Sequence, residues 1–211
     1  MNLNKRACMI RRCMYLFLFA IALSSIGACR SGEKAETAAA NTAADAAEPT
    51  TTTGFLRDKD AIEKALEQLR DLDRFKGKPV KLMGTVNFYD DGRIEFDGIQ
   101  DPAKPENVDS YVYRNGKWLA PTPVQLTGDG NVSDNVIDLD QVKGVYKVPE
   151  MMQAIDEKAK GLTLAKPVTS LYYNYIARLK EGGFHASVET DRAAYNVNFT
   201  PDGTLTDWHK R

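Results

Sequence analysis

The sequence predicts an α+β fold, with helices packed on one or more antiparallel meander sheets. Three observations predict it. Short alternating apolar runs are separated by Asp-Gly and Asn-Gly turns, which is hairpin chemistry. Two segments instead repeat their apolar residues at helical spacing. The strands cluster in sequence rather than alternating one by one with helices, so parallel β-α-β units are not expected. The 211 residues are 43% hydrophobic and 27% charged, with a formal net charge of −1, which are ordinary globular values. No basic excess points to nucleic acid.

The first helix is expected from Asp60, with Asp60 and Glu63 as a capping pair. Ile62, Ala65, Leu66, Leu69 and Leu72 form its apolar stripe, Phe75 follows, and Gly77 and Pro79 end it. Val80–Tyr89 and Arg93–Gln100 are strands around Asp90-Asp91-Gly92. Tyr111–Arg114 and Lys117–Leu119 are strands around Asn115-Gly116, and Asp101–Asn107 is a polar loop. Val136–Leu139 and Val142–Val148 add two short strands. Pro149 opens a second helix with Met152, Ile155 and Ala159 on one stripe. Ser170–Glu181 fits both periods; Ser170 as a cap and Lys180-Glu181-Gly182-Gly183 as a stop favour a helix. Phe184–Glu189, Tyr195–Thr200 and Thr204–Trp208 then form a three-stranded meander.

The N-terminus reads as a targeting segment. Lys5, Arg6, Arg11 and Arg12 precede an apolar run, Met14–Leu23, that is too short to span a bilayer. Ile26-Gly27-Ala28-Cys29 then resembles the lipobox of bacterial lipoproteins, an aliphatic residue and two small ones before a cysteine. That resemblance implies signal-peptidase recognition of Ile26, Gly27 and Ala28, cleavage after residue 28, and diacylglyceryl and acyl (palmitate-type) chains on Cys29. It also implies membrane lipid as a partner. Arg30, where an Asp would favour the inner membrane in enteric lipoproteins, points to the periplasmic side of the outer membrane. Cleavage would remove Cys8 and Cys13 with four basic and no acidic residues, leaving a net charge of −5. Residues 29–54 are expected to be the lipidated cysteine and a flexible linker: residues 30–54 hold eight Ala and six Thr among 25 residues. Such a segment buries too little to offset its ordering entropy. Residues 55–211 carry 16 of the 19 aromatics and form the folded domain, with candidate halves 55–148 and 149–211.

Val86-Asn87-Phe88-x-x-Asp91-Gly92-x-Ile94 matches Val197-Asn198-Phe199-x-x-Asp202-Gly203-x-Leu205 without a gap. Each follows a predicted helix stop, Gly77 or Gly182, so two related helix-plus-meander units are one reading and repeated hairpin chemistry the other. A helix followed by a meander, with these paired motifs, is similar to periplasmic modules of the PepSY and β-lactamase-inhibitor-protein type. The resemblance implies a binding or inhibitory role.

Residues for covalent or metal chemistry are sparse. His185 and His209 are the only histidines and lack metal-ligand spacing. No Gly-x-Ser-x-Gly, Ser-x-x-Lys or phosphate-loop motif occurs. Asp129, Asn131 and Ser133 imitate the start of a calcium loop, but Asp134 and Asp140 stand where Gly and a bidentate Glu are required. No metal and no cofactor are therefore expected. Carboxylates are plentiful; Glu95 with Asp97, and Asp138 with Asp140, share strand faces, and a glycosidase needs two carboxylates across a cleft. Tyr111, Tyr113, Trp118 and Trp208 are either cross-strand core or an exposed platform for an envelope protein or glycan, with Asp101–Asn107 as its rim. A lipid-anchored binding module, an envelope hydrolase and an outer-membrane assembly lipoprotein are the three functional readings.

Overall fold

A computed structural model describes residues 54–127 and 132–211. The chain enters through a 3-10 turn, Phe55–Arg57, and continues into α1 (Lys59–Asp71). The N-cap is Asp58, not Asp60: its carboxylate accepts the Ala61 N–H at 3.0 Å. The Asp58 N–H is already bonded to Phe55 O, so a Glu reaching back to it has nothing to satisfy. Ile62, Ala65, Leu66 and Leu69 are buried as the period requires. The helix stops at Asp71, earlier than the stripe suggested, because Leu72 turns out at ψ 134°. A turn then carries Phe75 into the core, with the Phe75 N–H donating to Leu72 O at 2.8 Å.

Strands β1 (Lys81–Tyr89), β2 (Ile94–Ile99), β3 (Val108–Arg114) and β4 (Lys117–Trp118) follow as a meander. Asn115 and Gly116 both have positive φ, 52° and 77°, as a two-residue hairpin turn requires. A two-residue strand, β5 (Thr122–Pro123), returns along β3, and β6 (Val136–Asp138) pairs the start of β1.

Residues 142–148 form a 3-10 turn, Lys143–Lys147, and not the expected strand. Close packing explains this: a Cβ on Gly144 would overlap the Phe184 ring and sit 2.9 Å from Pro201 O. Helix α2 (Val148–Lys158) follows, with Pro149 in its first turn and Met152 and Ile155 buried; Ala159, just beyond its end, is buried too.

The remaining strands are β7 (Ser170–Ile176), β8 (Glu181–Thr190), β9 (Ala193–Phe199) and β10 (Leu205–Lys210). The helix expected over 170–181 is thus strand β7 and a turn. Period two wins because β7 lies between β1 and β8, and both neighbours take backbone hydrogen bonds from it. Residues 177–180 are the turn into β8, with Lys180 at φ 54°. Gly182 is required by packing, since a Cβ there would overlap the Tyr173 hydroxyl.

All ten strands belong to one antiparallel sheet, ordered β10-β9-β8-β7-β1-β2-β3-β4, with β5 on β3 and β6 on β1. The order is symmetric about the β7–β1 pair, with a helix preceding four strands on each side. The gapless sequence match does not superpose those halves. It falls on the first hairpin of one, β1–β2, and the last hairpin of the other, β9–β10. It marks hairpin chemistry used twice.

The core lies between one face of the sheet and the helices. Leu82, Val86, Phe88, Leu171, Tyr173, Phe184, Val197 and Phe199 meet Ile62, Leu66, Leu69, Met151, Met152 and Ile155. Asp90 fixes the start of the domain. Its carboxylate accepts the N–H groups of Gly54 (3.0 Å) and Leu56 (3.3 Å), and its carbonyl accepts the Phe55 N–H. Gly54 therefore belongs to the folded part, one residue before the expected boundary. Arg57 adds a two-pronged bond to Asp156 of α2, at 2.8 Å on each prong.

Asp90→Ala is expected to lower unfolding stability by about 1–3 kcal/mol, because two backbone donors lose their partner in a half-buried site. Asp91→Ala, beside it, should change little. Urea midpoints at constant m-value compare the two.

Candidate functional site

Alternation along each strand sends one set of side chains into the core and the other to the opposite face of the sheet, which neither helix covers. Strand register aligns that second set into a row across seven strands: Val112, Glu95, Asn87, Tyr172, His185, Asn198 and Asp207. Five of the seven side chains are amides, carboxylates or imidazole. Asn196 and His209 stand opposite one another in a neighbouring row.

These groups are wired together. The His185 Nδ1 lies 2.9 Å from Asn198 Oδ1, and Asn198 Nδ2 donates to Asp207 Oδ2 at 3.3 Å. The same Asp207 oxygen is 2.5 Å from His209 Nδ1, and Asn196 Nδ2 is 3.3 Å from His209 Nε2. With each amide oxygen accepting and each amide nitrogen donating, both imidazoles carry their proton on Nδ1. The chain links the two histidines across β8, β9 and β10. The hydrogen bond from His209 is the main reason the Asp207 carboxyl is held below the usual aspartate range.

Beside the network, Tyr172 packs at a tilt against the His185 ring, 5.3 Å between centroids, and is 42% exposed. On the other side of Asn87, the face forms a shallow groove lined by Met83, Thr85, Glu95, Asp97, Ser110 and Val112. Glu95 and Asp97 lie here together, as the strand alternation predicts. Both project from β2, so they do not face one another across a cleft as a glycosidase pair does. Glu95 is also held by Arg93 Nη1 at 2.8 Å, while the Arg93 guanidinium sits 4.1 Å over the Tyr89 ring. Burial pushes the Tyr89 phenol up. Asp138 and Asp140 are occupied elsewhere, with Lys81 at 2.8 Å and Arg70 at 2.5 Å respectively. Among the described residues, no group of three or more His, Cys, Asp or Glu is placed to hold a metal ion.

Of the two readings of Tyr111 and Tyr113, the structure takes the core one. Tyr111 is fully buried, stacked on Phe96 at 4.9 Å and packed against Phe75 at 5.1 Å. Burial raises its phenol pKa, with Arg74, 5.6 Å from the ring, opposing the shift. Tyr113 is 4% exposed and lies against Trp118, whose indole N–H donates to Ala65 O of α1 at 2.8 Å. These rings therefore seat α1 on the sheet and are not free to meet a ligand. Trp208 lies apart, half-buried on Tyr195 at 5.6 Å. The exposed aromatic of the open face is Tyr172. The helical reading of 170–181 hid it, although the strand reading of the same residues sets Tyr172, Asn174 and Ile176 opposite Leu171 and Tyr173.

Ile26, Gly27, Ala28, Cys29, Asp129 and Asn131 lie outside the described residues. Among the described residues, no helix is long and apolar enough to cross a membrane.

No family model matches the chain, and no curated protein matches it. Among solved structures, a candidate lipoprotein from Clostridium difficile 630 aligns over 78% of this chain and 97% of its own, at 14% identity and a TM-score of 0.46. A likeness of that degree carries no fold or function across.

His209→Ala should return the Asp207 carboxyl pKa toward its ordinary value, as read by NMR titration of the side-chain carboxyl. The sign follows from the depressed folded-state value. The pairing contributes stability above the unfolded aspartate range and loses it as pH falls through the folded value. The variant should accordingly be less stable than the wild type above the unfolded aspartate range and converge with it as pH falls through the folded value.

Proposed function

We propose that this chain is a bacterial lipoprotein, anchored by acyl chains on Cys29, whose folded domain binds an envelope protein or glycan through the open face of its sheet. The anchor rests on the lipobox-like Ile26-Gly27-Ala28-Cys29 and the charged, short-cored segment before it. Two or more acyl chains hold a protein stably at a membrane where one does not. A coil of the linker's length spans about 25–30 Å, which lets the domain reach past the headgroups. The outer membrane, periplasmic side, is the location that Arg30 favours.

The single observation that carries the binding role is the uncovered row from Val112 to Asp207. It is mostly polar, pre-ordered by its own hydrogen bonds, and centred on the exposed Tyr172 ring. Pre-ordered side chains lose little entropy on binding. An aromatic ring set among amides suits both peptide and sugar surfaces.

Intact mass and membrane partitioning of the wild type and Cys29→Ala test the anchor. The wild type should carry acyl mass and sediment with outer membranes, and Cys29→Ala should be unacylated and soluble. An unmodified, soluble wild type would remove the anchor. For the binding role, crosslinking in intact envelopes should give adducts that Tyr172→Ala and Asn87→Ala reduce severalfold. Arg178→Ala, an exposed turn residue off the row, should leave them unchanged. Equal loss in all three would place the contact elsewhere.

A further inference from the structure

The two ends of the sheet are finished differently. At one end β3 is covered along its outer edge by β4 and β5, and β4 is only two residues long. Short, covered strands are the usual protection against edge-to-edge pairing. At the other end β10 runs for six residues, and no described strand pairs its outer edge. The Arg211 N–H donates to Ala194 O of β9 at 2.8 Å. By antiparallel alternation, His209 and Asp207 therefore also turn their backbone groups toward β9, and Trp208 and Lys210 turn theirs outward.

We propose that two copies of this chain pair antiparallel through β10, about a two-fold axis at Trp208, to form one continuous sheet. In that register each Trp208 exchanges two backbone hydrogen bonds with Trp208 of the second copy. Lys210 then stands opposite Thr206 of the second copy, and Asp207 opposite its His209. The edge is self-complementary in this register: every Asp207, a hydrogen-bond acceptor, stands opposite a histidine, and no like charges face one another. That complementarity selects a second copy over an unrelated peptide. An isologous interface also meets each of these residues twice, so each favourable pair counts double. On the core side, the half-buried Trp208 rings meet across the axis, beside Tyr195 of each chain, as cross-strand aromatic pairs do. On the other side, the polar rows of the two copies become continuous.

Sedimentation equilibrium of the full chain in density-matched detergent tests this, with circular dichroism to confirm that each variant is folded. The wild type is expected at twice the chain mass. Asp207→Lys sets a cation against His209 of the second copy, and His209→Glu sets two carboxylates together. Each variant alone should fall to one chain mass. An equal mixture of the two should recover the doubled mass, because each new side chain then meets its opposite. A wild type at one chain mass would overturn the proposal. So would a doubled mass that survives either substitution, or a mixture that stays monomeric. Recovery on mixing cannot arise from a change within one chain.

Discussion

The pairing of β1 with β7 is the contact on which the rest of the structure depends. These strands open the two four-strand runs, and five residue pairs from Thr85–Asn174 to Tyr89–Ser170 join them. Without that seam each run would be a four-stranded sheet with a long bare edge on its inner side. With it, one core receives α1 and α2 together. Gly84, at φ 68°, lets the partner change along β1: β7 pairs the strand from Thr85 onward, and β6 pairs it from Lys81 to Met83. Asp90 lies at the end of the seam and ties three segments to it. Its carboxylate takes the N–H groups of Gly54 and Leu56, its carbonyl takes that of Phe55, and its own N–H donates to Thr169 O. The point where the chain enters the domain is therefore fixed to the centre of the sheet and not to its rim.

A sheet with both helices on one side has its chemistry decided on the other. The covered face is mostly apolar, and the uncovered face carries amides, carboxylates, both histidines and the Tyr172 ring. Glu95 is paired with Arg93 and Asp207 accepts a hydrogen bond from His209, so the face offers directional hydrogen bonds. That suits recognition of a polar surface. It also separates duties among the aromatics. Phe55, Phe75, Phe96, Tyr111, Tyr113 and Trp118 hold α1 in place, leaving Tyr172 and the β10 edge to meet the surroundings.

Sequence reading recovers the elements whose signals are local. Asn115-Gly116, the alternation of β1 and the α1 stripe each contain their own evidence. It fails where a distant contact decides. Ser170–Ile176 satisfies both periods, and only the need of β1 and β8 for a partner between them makes it a strand. Residues 142–148 alternate like a strand, but Gly144 must approach Pro201, more than fifty residues away. Asp60 reads as the cap in the sequence, but Asp58, its N–H held by Phe55 O, is the residue whose carboxylate accepts the Ala61 N–H. The candidate site follows the same rule. The Glu95 and Asp97 alternation was visible, whereas the histidine network needed the β8-β9-β10 register, which no spacing of His185, Asn198, Asp207 and His209 announces. The Tyr111 and Tyr113 pair was visible as a cluster, but its side of the sheet was not.

Native-state hydrogen exchange tests the central claim, that the β1–β7 seam makes one cooperative body with one covered and one open face. Amides of Val86 and Phe88 in β1, and of Leu171 and Tyr173 in β7, should open only by global unfolding. Their exchange free energies should then equal one another and the stability from denaturant unfolding. If the residues on either side of the seam exchange with distinctly different free energies, the halves unfold separately, and a sheet unified at β1–β7 is contradicted.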